Sequence, residues 1–515
     1  MHTLRASLVA SVLFGCAAYD NPSGGDAGSD GGPRPDTGAL TDRGPSPDGE
    51  LVGGPDEPDP ANTDSNGDGL DGNVTDAVFI ASNGDDLAPG TRERPVLTVS
   101  MALELARRDS RHQILIAAGT YPEPTLTLVD GVGLYGGYDR AANWSRGDTP
   151  SELQVGAVGI EARNLRARTV LARVTVRAAD ASMASGSSIA VRAVDAPGLV
   201  VADRSQLVAG NGAAGTDGAP GVIGADGLPG APGGNGAADN QTMPGAGGAG
   251  GLNRTCANAN GGAGGTGGRD PAFQGAAGAR SAGGSAGGSG GMTAGCTPTN
   301  GMTGAGAQTA PMPGRSGTPG GPQGTLMDPM GVYLPANGTP GGDGAHGPGG
   351  GGGGGSSGQT GTLCIDGAGN GGGGGGAGGC AGTGGTGGTG GGASIALLAL
   401  RSAVRVEGCT LATGAGGAGG AGGAGGTGGR GAAGGSGASV SSGELGTAGS
   451  GGRGSDGAPG GPGGGGGGGP SIGVWSVGGA PTLEGVTYRL GAGGAGGRAP
   501  GMAQGAPGLS REQLP

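Results

Sequence analysis

Chemistry in this chain rests on carboxylates and thiols, because few other reactive side chains are present. The 515 residues contain no lysine and all 28 basic residues are arginine, which removes Schiff-base and lysine-base chemistry. Histidine occurs only at His2, His112 and His346, too few for a histidine triad or a histidine-rich metal centre. Three carboxylates stand out by position. When 188–210, 394–414 and 471–491 are aligned on their shared Ser-Ile start, with two extra residues in the first, Asp203, Glu407 and Glu484 coincide. A carboxylate ladder of this kind suits cation binding or a paired acid and base acting on a glycoside. Arg204 and Arg405 lie nearby to relieve its repulsion, as they would in a solvated turn. The turn is the simpler reading, so no catalytic residues are assigned and the chain is expected not to be an enzyme, with a polysaccharide lyase or hydrolase as the alternative.

A second acidic set lies in "DSNGDGLDG", where Asp64, Asn66, Asp68 and Asp71 are interspersed with glycine. Alternating oxygen ligands in a glycine-containing loop match the first half of an EF-hand calcium loop. The match then fails, because Thr75 stands at the twelfth position and Asp76 comes one residue late. The loop is thus either a calcium site or a solvated acidic turn, and no other cofactor is expected.

The six cysteines divide by context. Cys16 ends "MHTLRASLVASVLFGC", a basic start followed by an apolar run too short to span a bilayer, the layout of a secretory signal peptide. Its "LFGC" resembles the lipobox of bacterial lipoproteins, which implies cleavage before Cys16, acylation of its thiol and, with no Asp at position 17, an outer-membrane address. Export to an oxidising envelope lets disulfides persist. Nearest neighbours in sequence then pair Cys256 with Cys296 and Cys364 with Cys380, worth about 4 and about 3 kcal/mol by loop entropy. Cys409 is expected as a free thiol facing a core, where Val486 takes the equivalent place.

The elements that carry these residues follow from periodicity. Residues 77–139 read as a strand at 78–81, an Asn-Gly turn, an amphipathic helix over 98–108, and strands at 114–117, 126–129 and 132–135. Earlier repeats lie within "ELQVGAVGI" and "RTVLARVTVRA". The three Ser-Ile segments are each about one solenoid repeat long and set up four apolar ladders: Ile189/Ile395/Ile472, Val191/Leu397/Val474, Val194/Leu400/Val477 and Leu207/Leu411/Tyr488. Every one of these segments runs into a glycine tract, over 210–393, 414–470 and 491–515, so the tracts should leave one corner of the solenoid.

Glycine makes up 142 residues and aromatics 2%, so no single ordinary core can hold the whole chain. In 414–437 two glycines alternate with one other residue, the period of a threefold polyproline-type helix whose bare faces could pack closely. The interruption "ASVSSGELGTA" suggests a hairpin of two arms, 414–437 and 449–469, with its tip near Ser442 to Glu444. Disorder is an equal alternative, and the Gly-X-Y run over 212–236 also fits a short collagen-like segment.

"SNGDDLAPGTRERP", "ILIAAGTYPE" and "GVGLYGGYD" resemble the opening module of bacterial right-handed parallel β-helix proteins of the pectate-lyase-like superfamily, in which the helix caps the first coil. The resemblance spans about 77–210 and the later coils. The tracts resemble the PE-PGRS type of glycine-rich insertion and, in repeat pattern alone, glycine-rich antifreeze proteins and phage fibre tips. The expected fold class is therefore all-β, a parallel β-helix with a capping helix and glycine-rich arms that are either packed or disordered. Its parts would be a signal peptide (1–15), an acidic flexible tether (16–63), the Asp-rich loop (64–76), the cap and first coils (77–210), an insertion (211–393), a coil (394–413), a hairpin insertion (414–470), a last coil (471–490) and a tail (491–515). The net charge of −12 argues against nucleic acid as a partner. The expected role is a lipid-anchored envelope or surface protein, structural, adhesive or coat-forming, with the membrane and extracellular polysaccharide or matrix as partners. Polysaccharide binding or cleavage and ice or matrix binding are the alternatives.

Overall fold

A computed structural model describes residues 56–515 apart from 241, 294, 328–329, 360–366, 441–443 and 502–503. The described chain is mostly β, with a single α-helix, Val99–Asp109, and three large sheets built almost entirely of parallel strands. The first sheet stacks Ala77–Ile80, Gln113–Ala117, Gly133–Asp139, Thr169–Ala172, Leu199–Ala202, Arg405–Glu407 and Thr482–Glu484 in sequence order. The second stacks Gly119–Pro122, Ser151–Val155, Val174–Ala178, Gln206–Val208, Thr410–Ala412 and Thr487–Arg489, and the third runs from Leu126–Thr127 through Val158–Arg163, Ser188–Val194, Ser394–Leu400 and Ser471–Val477 to Ser510–Leu514. Consecutive strands visit the first, second and third sheets in turn, so each circuit of the chain lies on the one before it.

Ladders of like residues run along the stack: those through Val191 and Leu207 line the core between the sheets, the one through Ile189 packs in a separate cluster with Tyr333 and Trp475, and the one through Val194 ends at the exposed Val477. Ile189 pairs with Ile395 and Ile395 with Ile472; Val191, Leu397 and Val474, then Val194, Leu400 and Val477, and finally Leu207, Leu411 and Tyr488 follow the same register. All four ladders expected from the sequence are therefore the observed register partners. Stacking at about 4.8 Å buries surface that a lone circuit would expose. The helix closes one end. Thr98 caps it by accepting from Met101 N–H, the Glu123 carboxylate accepts from Val99 N–H at its positive end, and Val99, Ala102, Leu103 and Ala106 enter the same core as Val78 and Ile114. The free edge of Ala77–Ile80 is paired separately, by Gly90 and Val96, which removes a template for aggregation.

The described residues of the glycine tracts form one hydrogen-bonded bundle. The arm 371–392 lies at its centre. Gly371, Gly374, Ala377 and Cys380 donate to the arm 225–234, Gly372 and Gly375 to Gly265 and Gly262, and Gly373, Gly376 and Gly379 to the arm 449–455. Its carbonyls accept from 417–438, from Gly248 and Gly251, and from 338–353. Successive residues thus address different neighbours and the pattern repeats every third residue, so one arm serves six others. The two arms expected as a hairpin run antiparallel, from Ala448 N–H on the Ala438 carbonyl to Gly469 N–H on Gly417. They do not project alone, because both also bond to 371–392. Of the expected tip, Ser442 lies outside the described residues.

Close approach, not an unusual dihedral, is what demands glycine here. None of the glycines in 371–392 or 417–438 has a positive φ. A Cβ added at Gly371, Gly373, Gly374 or Gly375 would lie 2.0 Å from the carbonyl oxygen of Ala246, Gly435, Ala249 or Gly350 respectively. The glycine hydrogen in that place points at the oxygen, a Cα–H···O contact worth about 0.5–1 kcal/mol. The number of glycines per triplet follows the number of neighbours. The uninterrupted runs 349–355, 371–376 and 463–469 are buried at every residue, whereas 212–236, with one obligatory glycine in three, lies at the surface.

Where neighbours end, threonine takes over. Ala231 and Leu228 donate to Ala249 and Leu252 of an adjacent arm. Beyond that arm, Val222, Ala219 and Thr216 N–H donate instead to the hydroxyls of Thr383, Thr386 and Thr389, each at 2.6 Å. Gly375→Ala should therefore cost about 1–3 kcal/mol through contact with a backbone oxygen, while Ala424→Ser, at an exposed place, should stay within about 0.5 kcal/mol. Amide hydrogen exchange over 371–392 reads both. Exchange as fast as in a free peptide in the unmutated protein would refute the bundle.

Candidate functional site: the corner that roots the arms

All three insertions leave after a second-sheet strand and return at a third-sheet strand, so they share one corner. Ser188, Ser394, Ser471 and Ser510 are register partners at that corner, and the first three are buried. Their hydroxyls close the insertions. Ser394 Oγ donates to the Gly210 carbonyl at 2.7 Å, 184 residues earlier in the chain; Ser471 Oγ donates to Gly414 at 3.0 Å, and Ser510 Oγ to Gly491 at 2.9 Å. Each bond joins the residue where a tract departs to the residue where it returns. The sequence shows these serines as alignment markers. Their role as clasps depends on the parallel stacking, which brings the two ends of each tract together.

The cysteines correct the sequence-based pairing. Cys256 is bonded to Cys380 and not to Cys296, closing a loop of 124 residues that the chain-entropy model values at about 5 kcal/mol. Cys296 is itself disulfide-bonded, and Cys364 lies outside the described residues. Nearest-neighbour pairing fails because arms adjacent in the bundle are distant in sequence. Cys409 is a buried free thiol in the core, as expected, and Val486 occupies its place in the next circuit, beside the paired Thr410 and Thr487. Burial pushes its thiol up to about 12.

The carboxylate ladder is reduced to two members. Glu407 pairs with Glu484 in register, but Val201 pairs with Val406, which sets Ala202 and not Asp203 beside Glu407. Asp203 is one residue further on, in a left-handed conformation with φ 50°. Its buried carboxylate meets Arg173 at 2.9 Å and Arg146 at 3.3 Å. Glu407 is paired with Arg405 on its own strand.

Asp71 is likewise diverted from the acidic loop. Its side chain is buried, accepts from Asp59 N–H and meets Arg146 at 3.1 Å. Asp64 accepts from Gly67, Asp68 and Gly69 N–H, while Asn66 and Asp68 bond one another. The chain's own donors thus take most of the oxygens a cation would use, and in Asp64, Asn66 and Asp68 only Asp68 Oδ1 is buried with no partner. Sequence reading missed the centre of this region, Arg146, fully buried between Asp71 and Asp203 and close to the rings of Tyr135 and Tyr138. An arginine two residues after a tryptophan carries no signal of burial. Cys16 lies outside the described residues, and none of the described helices is long and apolar enough to cross a membrane.

No family model matches the chain, and neither a curated protein nor a solved structure is found to be similar to it.

Removing a clasp should be felt at the root: Ser394→Ala leaves the Gly210 carbonyl unpaired and should cost about 1–3 kcal/mol in denaturant unfolding. Arg146→Ala strands the buried Asp71 carboxylate, leaves Asp203 to Arg173, and should cost about 3–5 kcal/mol by the same measurement. The Cys409 thiol has a raised value in the folded state, so its contribution is whole below about 9 and falls as pH rises toward about 12. Stability profiles of the unmutated protein and of Cys409→Val should accordingly diverge only in that alkaline window.

Proposed function

We propose that this chain is a lipid-anchored protein of the cell envelope, with a structural, adhesive or surface-coat role, in which a right-handed parallel β-helix roots a bundle of polyglycine-II-like arms. The observation that carries this reading is the shared corner. Three insertions with no sequence continuity leave it, return to it through serine clasps, and interleave in one lattice. About half of the chain builds that body, whose outer faces mix backbone and small side chains with scattered exposed apolar ones such as Val222, Ile223, Met292 and Met312. Such a surface suits repeated weak contacts over a large area better than a single enclosed ligand.

A non-enzymatic role is favoured by the fate of the carboxylates. Asp203 is neutralised by two arginines and Glu407 by one, so neither of these two is free to act as the acid or base of a glycoside reaction. The acidic, Pro- and Gly-rich sequence before residue 56 would act as a tether from the acylated Cys16, a shorter one than the expected 16–63, because Asp56 to Asn62 is docked on the folded part through Gln113, Tyr135 and Arg173. Extracellular polysaccharide or matrix and the membrane are the proposed partners, the latter through the lipid alone.

Cys16→Ser tests the anchor. The variant should leave the membrane fraction, or accumulate unprocessed, while its bundle keeps the same amide protection. Normal processing and continued membrane association would overturn the lipoprotein reading.

A further inference from the structure

We propose that the Cys256–Cys380 pair, in its dithiol form, is a site for a zinc-type divalent cation, completed by His346 and Asn253. This goes beyond the anchoring and coat role and does not depend on it. The sulfurs and a ring nitrogen of His346 all lie within 4.8 Å of one another, although the three residues come from separate arms. Both cysteines are buried and the imidazole is exposed, so the cluster has a protein side and an open side.

Asn253 supplies a fourth donor atom beside the sulfurs. It is buried, and its amide nitrogen donates to the Ala225 carbonyl at 3.3 Å and the Gly378 carbonyl at 3.0 Å, which fixes the orientation of the amide. Its Oδ1 consequently lies 3.1 Å from Cys380 Sγ. That oxygen accepts from Thr255 N–H at 3.2 Å with one lone pair, and a disulfide sulfur has no hydrogen to offer the other. A thiol does, and a metal beside the sulfur would accept the oxygen as a ligand.

The donor set is two sulfurs, one imidazole nitrogen and one carbonyl oxygen, the softness and number that a tetrahedral zinc-type ion prefers. Two sulfurs about 2.3 Å from one ion stand about 3.8 Å apart. A Cα separation of 5.8 Å puts that spacing within reach of side-chain rotation. His346 Nδ1 accepts from Ala381 N–H at 2.9 Å at an exposed position, so a metal taking that lone pair would release the N–H to water.

The chemistry balances as two steps. A dithiol reductant gives two electrons and two protons to the disulfide, becoming a cyclic disulfide and leaving two thiols. The cation then displaces both thiol protons and binds two thiolates. One site thus holds the 253–260 turn against the central arm in either state, by a covalent bond when oxidised and by coordination when reduced.

The test uses the full-length protein, reduced with an immobilised phosphine under nitrogen and titrated with Co²⁺ alone. The expected result is one equivalent of bound metal with thiolate-to-cobalt charge-transfer absorption. The band should vanish in Cys256→Ser and persist in Cys296→Ser. His346→Ala should weaken Co²⁺ binding at least about tenfold, the smaller loss typical even of outer-shell changes. Absence of the band in the reduced protein would overturn the proposal, as would a band unchanged in Cys256→Ser or His346→Ala. Amide exchange guards against collapse: if reduction alone makes 371–392 exchange like a free peptide, no preformed site exists and the proposal fails.

Discussion

The structure depends on one contact, the approach of a glycine α-carbon to a carbonyl oxygen of the next arm. An added Cβ would sit 2.0 Å from that oxygen at Gly375, so no other residue fits without moving backbone. The unusual composition follows. An arm surrounded on every side needs glycine at every place in its triplet, and an arm at the surface needs it at one place in three. Ordering a residue costs about 1–2 kcal/mol, and glycine more than most. A backbone hydrogen bond returns about 1 kcal/mol net, and the Cα–H···O contact about 0.5–1. The balance per residue is close, so the lattice is favoured by size and by having its ends held.

Holding the ends is the work of the stacked strands. Their ladders set Gly210 beside Ser394 and Gly414 beside Ser471, so each tract begins and ends within one hydrogen bond. The loop-closure entropy of joining residues 184 apart is thereby met by apolar burial in the core. The Cys256–Cys380 bond does the same for a turn that leaves the lattice. Core and bundle are therefore thermodynamically linked, although their packing obeys different rules.

Much of this was legible in the sequence, and the failures have physical causes. The Ser-Ile starts fixed the register of four ladders, and the period of three fixed the direction of the arms, because both are local repeats. The six-neighbour lattice was not legible, since neighbours are chosen by interleaving and not by sequence distance, and the cysteine pairing failed for the same reason. Asp203 slipped from its ladder because an extra residue of its circuit falls in the turn after Val201, where Asp203 and Arg204 are both left-handed, a placement that alignment cannot register. Asp71 was lost from the acidic loop to Arg146, a partner 75 residues away. The glycine runs 349–355, 371–376 and 463–469 were a signal for interior arms, and their meaning emerges only once the neighbours are counted.

The arms bond sideways, through hydrogen bonds that run across their long axes, and this has a mechanical consequence. A load pulling one arm along its length strains every lateral bond to its neighbours together, so they resist as a group. A load peeling an outer arm away meets them one triplet at a time. The bundle is accordingly stiff toward traction along the arms and weak toward prying at its rim. The threonines of 383, 386 and 389, whose hydroxyls hold the rim residues Val222, Ala219 and Thr216, stand where peeling would begin.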